Sequence, residues 1–179
     1  MLGMHVPYWL TITLNLLLLA GFITTAYYTL RVGITPMPSS RKAVSTMIGI
    51  MPRNVKGTIL DLGAGWGTLG YPVAKAFPEA TVIGYELSPI PWAYSRIKQF
   101  VVRRGNLTFK RKDISEVDLS SADIVLVYLQ PRAMRRLSPK LRDELKPGAL
   151  VLSNSFPLPG WEQSAVYELS THRLSTSRR

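Results

Sequence analysis

Apolar and polar positions alternate with three different rhythms along the chain. The first rhythm is an unbroken one: Val6 to Leu30 gives 25 residues without Lys, Arg, Asp or Glu, including Leu16-Leu17-Leu18-Leu19. A helix of that length reaches ~37 Å at ~1.5 Å per residue, enough to cross a hydrocarbon core of ~30 Å. Tyr8 and Trp9 flank one end and Tyr27 and Tyr28 the other, the places of interfacial aromatics. A signal peptide calls for a basic start and a shorter apolar core, and Met1 to Pro7 has no Lys or Arg. A surface helix calls for a polar stripe, which Asn15 and the scattered threonines do not form. The pattern predicts a transmembrane anchor.

A linker marked by Pro36 and Pro38 follows, with Ser39 as the expected N-cap of a helix carrying Ala43, Val44, Met47, Ile48 and Met51 at helical spacing. Beyond it the rhythm shortens. Thr58 to Leu60, Thr81 to Tyr85, Leu107 to Phe109, Ile124 to Leu129 and Ala149 to Leu152 are short apolar runs whose starts lie 17 to 26 residues apart. Helical patterns fill the gaps. Leu69, Val73 and Phe77 share one face, Trp92, Ala93, Ile97, Phe100 and Val101 another, and Met134, Leu137, Leu141 and Leu145 a third, before Pro147-Gly148 stops the last helix. Strand–helix alternation at this spacing predicts an α/β fold: a mostly parallel sheet with helices on both faces. Ala165 to Ser177 is all that remains for closing antiparallel strands, and Ser175 to Arg179 reads as a loose tail.

Charge refines this division. The 22 Lys+Arg against 11 Asp+Glu leave +11, all of it after residue 30. Arg31, Arg41 and Lys42 follow the apolar run and no basic residue precedes it, so the positive-inside rule places the N-terminus outside and the domain in the cytoplasm. Arg96, Lys98, Arg103, Arg104, Lys110, Arg111 and Lys112 form one basic cluster; Arg132, Arg135, Arg136, Lys140, Arg142 and Lys146 form another. Beside an anchor, such clusters favour an anionic membrane surface over nucleic acid as partner. The absence of cysteine excludes disulfide scaffolds, Cys-based zinc sites, iron–sulfur chemistry and a cysteine nucleophile. His5 and His172 lie at opposite ends, so no paired-histidine metal motif exists and no metal is expected.

The chemistry gathers at strand ends. The first strand closes in Asp61-Leu62-Gly63-Ala64-Gly65-Trp66-Gly67, where the ligand of such a sheet sits. Gly65-Trp66-Gly67-Thr68-Leu69-Gly70 also fits the dinucleotide fingerprint, with Glu86 at about its expected distance. A carboxylate at position 61 opposes a pyrophosphate, however, and suits a cationic ligand with no phosphate. S-adenosylmethionine is such a ligand. Glu86, ending the second strand, suits its ribose hydroxyls, and Asp113, after the third, its adenine amino group.

With these motifs the chain resembles the class I S-adenosylmethionine-dependent methyltransferases. It is most similar to the small membrane-anchored family that contains the lysine methyltransferases of the ATP synthase c-subunit and the adenine nucleotide translocase, with their bacterial relatives. The resemblance spans residues ~35 to ~161. It rests on Thr35-Pro36, Asp61-Leu62-Gly63-Ala64-Gly65, Gly84-Tyr85-Glu86-Leu87-Ser88-Pro89, Tyr128-Leu129-Gln130-Pro131 and Phe156-Pro157-Leu158-Pro159-Gly160-Trp161. Trp66 and Thr68 stand where those enzymes tend to carry Asp and Arg, so the loop here is more apolar.

The resemblance implies a Rossmann-like sheet behind one transmembrane helix: residues 1–31 as anchor, 32–57 as linker and first helix, 58–177 as methyltransferase domain. It implies a cofactor set of Asp61, Gly63, Ala64, Gly65, Gly67, Glu86, Leu87, Asp113 and Ile114, with Tyr128 and Gln130 as catalytic residues and Leu129, Pro131 and Phe156 on the substrate. The expected activity is lysine N-methylation of a membrane protein, in a bacterial inner membrane or in a mitochondrial inner membrane facing the matrix. Methylation of a membrane lipid or quinone-like molecule, and S-adenosylmethionine binding without turnover, remain open alternatives. Nucleic acid is disfavoured because the Asp/Asn-Pro-Pro-Tyr signature of base methylation is missing after the fourth strand.

Overall fold

A computed structural model describes residues 7–32, 39–168 and 173–179 of the chain. Thr35-Pro36, the linker prolines Pro36 and Pro38, and both His5 and His172 lie outside the described residues. Helix α1, Tyr8–Val32, carries the uncharged run and is long and apolar enough to cross a membrane. Its leucines are exposed. Thr13, Asn15 and Thr25 each donate to the carbonyl four residues back, at 2.8, 2.9 and 2.9 Å, so these side-chain donors find acceptors within the helix.

The expected alternation follows. Helix α2 spans Arg41–Ile50, β1 Thr58–Leu62, α3 Gly70–Ala76, β2 Thr81–Glu86, α4 Pro89–Val102, β3 Leu107–Arg111, β4 Ala122–Val127, α5 Pro131–Glu144, β5 Leu150–Asn154, β6 Ala165–Glu168 and β7 Arg173–Arg178. The sheet order is β3-β2-β1-β4-β5-β7-β6. Strands β1 to β5 are parallel, while β7 is antiparallel to both neighbours. Alternating side chains divide the core into two layers. Ile59, Val82, Phe109, Ile124 and Leu152 pack with Val44 and Met47 of α2 and Val73 of α3. On the other face Leu60, Leu62, Val125, Val127 and Val151 meet Met134, Leu137, Leu141 and Leu145, the predicted stripe of α5.

Three expectations change. The N-cap of α2 is Ser40, whose hydroxyl accepts from Ala43 N at 3.2 Å, while Ser39 N donates to Thr68 Oγ1 at 3.3 Å. The tail is not loose. Ser175, Thr176 and Ser177 are buried in β7, because a strand between two others has its backbone groups paired on both sides, whatever its side-chain hydrophobicity. Third, Ile97, Phe100 and Val101 of α4 face outward, and the helix instead buries Pro91 and Ser95.

Candidate functional site

The chain leaves β1 for β2 on one side of the sheet and later returns to β4 on the other, opening a crevice at the strands' carboxyl ends. Two devices bend the loop after β1 into it. Gly63 N and Ala64 N both donate to Tyr85 O, at 3.0 and 2.9 Å, holding the turn against β2. Gly63 has φ +83°, and a Cβ there would lie 2.7 Å from Leu129 Cδ2, so this position needs the absence of a side chain. The next link is Glu86. Its Oε2 accepts from Gly65 N at 2.9 Å and its Oε1 from Ser88 N at 2.7 Å, tying the loop to the start of α4. Each oxygen keeps a second lone pair for a ligand hydroxyl.

The result is a cavity of about 270 Å³. Asp61, Gly63, Ala64, Gly65, Glu86, Leu87, Asp113 and Ile114 line it, as do Tyr128 and Leu129. Of the remaining candidates, Gly67 lies behind the wall, where a Cβ would come 2.8 Å from Phe109 Cζ. Gln130 caps α5 through its backbone with an exposed side chain, and Pro131 opens that helix. Phe156 lies past β5, away from the cavity, its carbonyl accepting from Ser153 Oγ. Asp113 is half-buried, and its Oδ1 accepts from Ser115 N at 3.0 Å and Ser115 Oγ at 2.8 Å, which fixes the turn at Ile114–Glu116.

At the floor Asp61 is 3% exposed, and its Oδ2 has no hydrogen-bond partner among the described residues. Burial pushes its carboxyl up from 3.8 to about 7, and the negative charge of Glu86 adds to the effect. An orphaned carboxylate oxygen beside a second carboxylate is a receptor for a cation, and S-adenosylmethionine offers an ammonium and a sulfonium. A phosphate-bearing nucleotide would meet two like charges there. The residues present fit S-adenosylmethionine.

The opposite wall was missed in the sequence. Arg132, Arg136 and Lys140 reach the cavity from α5, whereas the second basic cluster was expected to meet lipid. Their spacing of four and eight residues was the available signal, since it places all three on one helix face. Two others of that cluster are engaged elsewhere: Lys146 pairs with Asp123 at 2.6 Å, and Arg142 Nη2 donates to Gly160 O at 2.6 Å, while Arg135 is exposed. Lys140 also pairs with Glu144 at 2.5 Å. Ser39, Trp66 and Thr68 complete the rim near the glycine loop.

The comparisons with known proteins agree with this geometry. The ANTKMT methyltransferase domain model matches residues 61–165. A protein-lysine N-methyltransferase of Saccharolobus islandicus is 31% identical over 141 residues, covering 78% of this chain and 87% of that protein. The Mus musculus adenine nucleotide translocase lysine N-methyltransferase is 32% identical over 148 residues, 81% of this chain and 63% of that protein. The Mus musculus lysine N-methyltransferase of the ATP synthase c-subunit is 30% identical over 152 residues, 79% of this chain and 60% of its own length. The chain thus spans less than two thirds of either mouse relative. In fold, an RNA methyltransferase from Salinibacter ruber, solved with S-adenosyl-L-homocysteine, superposes with a TM-score of 0.74 at 24% identity, covering 79% of this chain and 93% of that one. With the glycine loop, the orphaned Asp61 and the matched domain in agreement, this chain belongs to the ANTKMT methyltransferase domain family and is an S-adenosylmethionine-dependent methyltransferase.

Proposed function

We propose that the protein methylates a lysine of an integral membrane protein, held in the plane of its substrate by α1. The observation that carries this reading is the polarity of the cavity: carboxylates at the floor, three cationic side chains on the α5 wall. S-adenosylmethionine supplies a methyl group on a sulfonium. A lysine amine attacks that carbon only when neutral, and with an ordinary pKa of ~10.4 only about one in several thousand is neutral at pH 7. Arg132 and Arg136 oppose a further positive charge and so lower the pKa of an entering ammonium, Lys140 being offset by its pairing with Glu144. The nitrogen–methyl bond then forms as the sulfur–methyl bond breaks, and the nitrogen sheds its proton to solvent. In this reading Tyr128, half-buried on the cavity wall, and the carbonyl of Leu129, a second lining residue, orient the amine, while the cavity limits water. The lysine specificity of the named relatives supports the same acceptor.

The anchor reading is supported by the exposed apolar surface of α1 and by the in-helix hydrogen bonds that Thr13, Asn15 and Thr25 donate. It places residues 31–179 in the cytoplasm or its topological equivalent. Confining enzyme and target to one layer raises their effective concentration without a new contact. The test compares membranes from cells with and without the gene. Methyl-lysine lost from one or a few membrane proteins is the expected result, with Tyr128→Phe reducing the modification while cofactor binding persists. Label appearing in extracted lipid or quinone, with no protein affected, would overturn the lysine reading.

A further inference from the structure

Ile97, Phe100 and Val101 of α4, which the sequence assigns to the core, instead join Ile90 and Tyr94 in an apolar stripe on the surface. Ile90, Tyr94, Ile97 and Val101 recur at intervals of four, three and four residues and so line up along the helix. Tyr94 is 50% exposed, Ile97 67% and Val101 74%, with Phe100 beside them at 78%. The sheet side of the helix is already filled by Pro91 and Ser95, and Trp92 packs partly against the core. A soluble surface seldom leaves such a row uncovered.

We infer that this stripe lies in the headgroup region of an anionic bilayer, making α4 an interfacial helix parallel to the membrane plane. The inference rests on the reading of α1 as the anchor. Two observations choose lipid over a protein partner. The first is charge: Arg96 flanks the stripe, Arg103 and Arg104 follow its C-terminal end, and Lys110, Arg111 and Lys112 close β3 beside its N-terminal end, where Arg111 Nε donates to Leu87 O at 3.3 Å, so that basic residues stand at both ends of the stripe, the arrangement that anionic headgroups attract. The second is continuity with α1. Arg111 Nη2 donates to Tyr28 OH at 2.9 Å, and its guanidinium lies 6.0 Å from that ring, so the domain touches α1 at its interfacial aromatic end, on the β3 edge against which α4 packs. The stripe also leads to the cavity. Tyr94 meets Trp66 edge to face at 5.4 Å, and Trp66 lines the cavity. Seating α4 about 5–10 Å into the headgroup–acyl boundary therefore brings the cavity rim to the level of the lipid surface. Trp66 becomes part of the same apolar edge.

The absence of cysteine makes the test direct. Full-length protein carrying Ile97→Cys, Val101→Cys or, as control, the exposed Arg135→Cys is labelled with an environment-sensitive fluorophore and reconstituted into phosphatidylcholine vesicles with and without phosphatidylglycerol. In anionic vesicles the labels at 97 and 101 should shift to the blue. They should also be quenched more by a nitroxide high on the acyl chain than by one at mid-bilayer, and show several-fold less iodide quenching than the label at 135. Iodide access at 97 and 101 equal to that at 135 would overturn the inference. So would a blue shift without lipid quenching, which would mark a second copy or another protein on the stripe. Alkaline carbonate extraction reads α1 separately: stripping of a protein whose α4 labels are lipid-quenched refutes the anchor alone, and retention with iodide-accessible labels refutes the stripe alone.

Discussion

Replacing Asp61 by asparagine leaves the shape of the cavity floor nearly unchanged and removes a charge that burial and Glu86 both oppose. In the folded protein the carboxyl titrates at about 7, against 3.8 for the ordinary group. Between those values the folded chain keeps a proton that the unfolded chain has released, so stability falls as pH rises from about 4 to about 7 and is level above. A difference of about three pH units corresponds to ~4 kcal/mol at pH 8, the upper end of what neutralisation recovers. The new amide N–H needs an acceptor, and leaving it unpaired would cost about 1–3 kcal/mol, so the net stabilisation of Asp61→Asn at pH 8 is about 1–3 kcal/mol. Urea unfolding of the full chain in detergent at pH 4, 6 and 8 measures this, with tryptophan fluorescence as the signal. The wild type should weaken with pH and the variant should not. Calorimetry should show S-adenosylmethionine affinity reduced about 10- to 100-fold, the scale of one charge-assisted hydrogen bond. A variant no more stable than wild type at pH 8 would refute the raised pKa. Undiminished affinity would refute the assignment of the ligand's cation to Asp61.

Glu86→Ala removes the acceptor of Gly65 N and Ser88 N and should weaken S-adenosylmethionine binding by ~1.5–3 kcal/mol in calorimetry. Gly67→Ala places a Cβ at φ +72°, 2.8 Å from Phe109 Cζ and 3.0 Å from Tyr71 Cε2, and should lower stability by about 1–3 kcal/mol in the same urea titration. Arg136→Gln takes one cation from the acceptor wall, so the pH–rate profile with a lysine peptide should move to higher pH; an unmoved profile would count against electrostatic deprotonation. Protease added to sealed right-side-out vesicles should leave the domain intact, and digestion there would reverse the proposed topology.

Most of the sheet was legible because each of β1 to β5 is a short apolar run stopped by turn residues, and the two buried layers follow from the alternation within Ile59-Leu60 and Ile124-Val125. Asp61 and Glu86 were legible as lining residues because a carboxylate at the carboxyl end of an apolar strand falls at the crevice, whereas the hydrogen bonds of Glu86 to Gly65 and Ser88 left no sequence signal. Periodicity failed at α4. It finds an apolar stripe but does not say which side meets the sheet, and the true inner side is made by Pro91 and Ser95, residues with no hydrophobic signature. Composition failed at β7 for the converse reason, since buried serines and a threonine are held there by backbone pairing. The α5 wall escaped because Arg132, Arg136 and Lys140 were read as charge rather than as positions on a face.

The insertion of β7 between β5 and β6 has a consequence for the order in which the protein is made. Strand β7 is the last of the seven to leave the ribosome, yet β6 has no other partner in the sheet among the described residues, and one edge of β5 stays open until β7 arrives. At 5–20 residues per second, the interval from the end of β5 to the end of β7 is on the order of a few seconds. Throughout it the nascent chain exposes Leu150, Val151 and Leu152 along an unpaired strand edge, behind an apolar helix that was synthesised first. The time for which that edge stays open is therefore set by translation, and the sheet is completed only when β7 is in place.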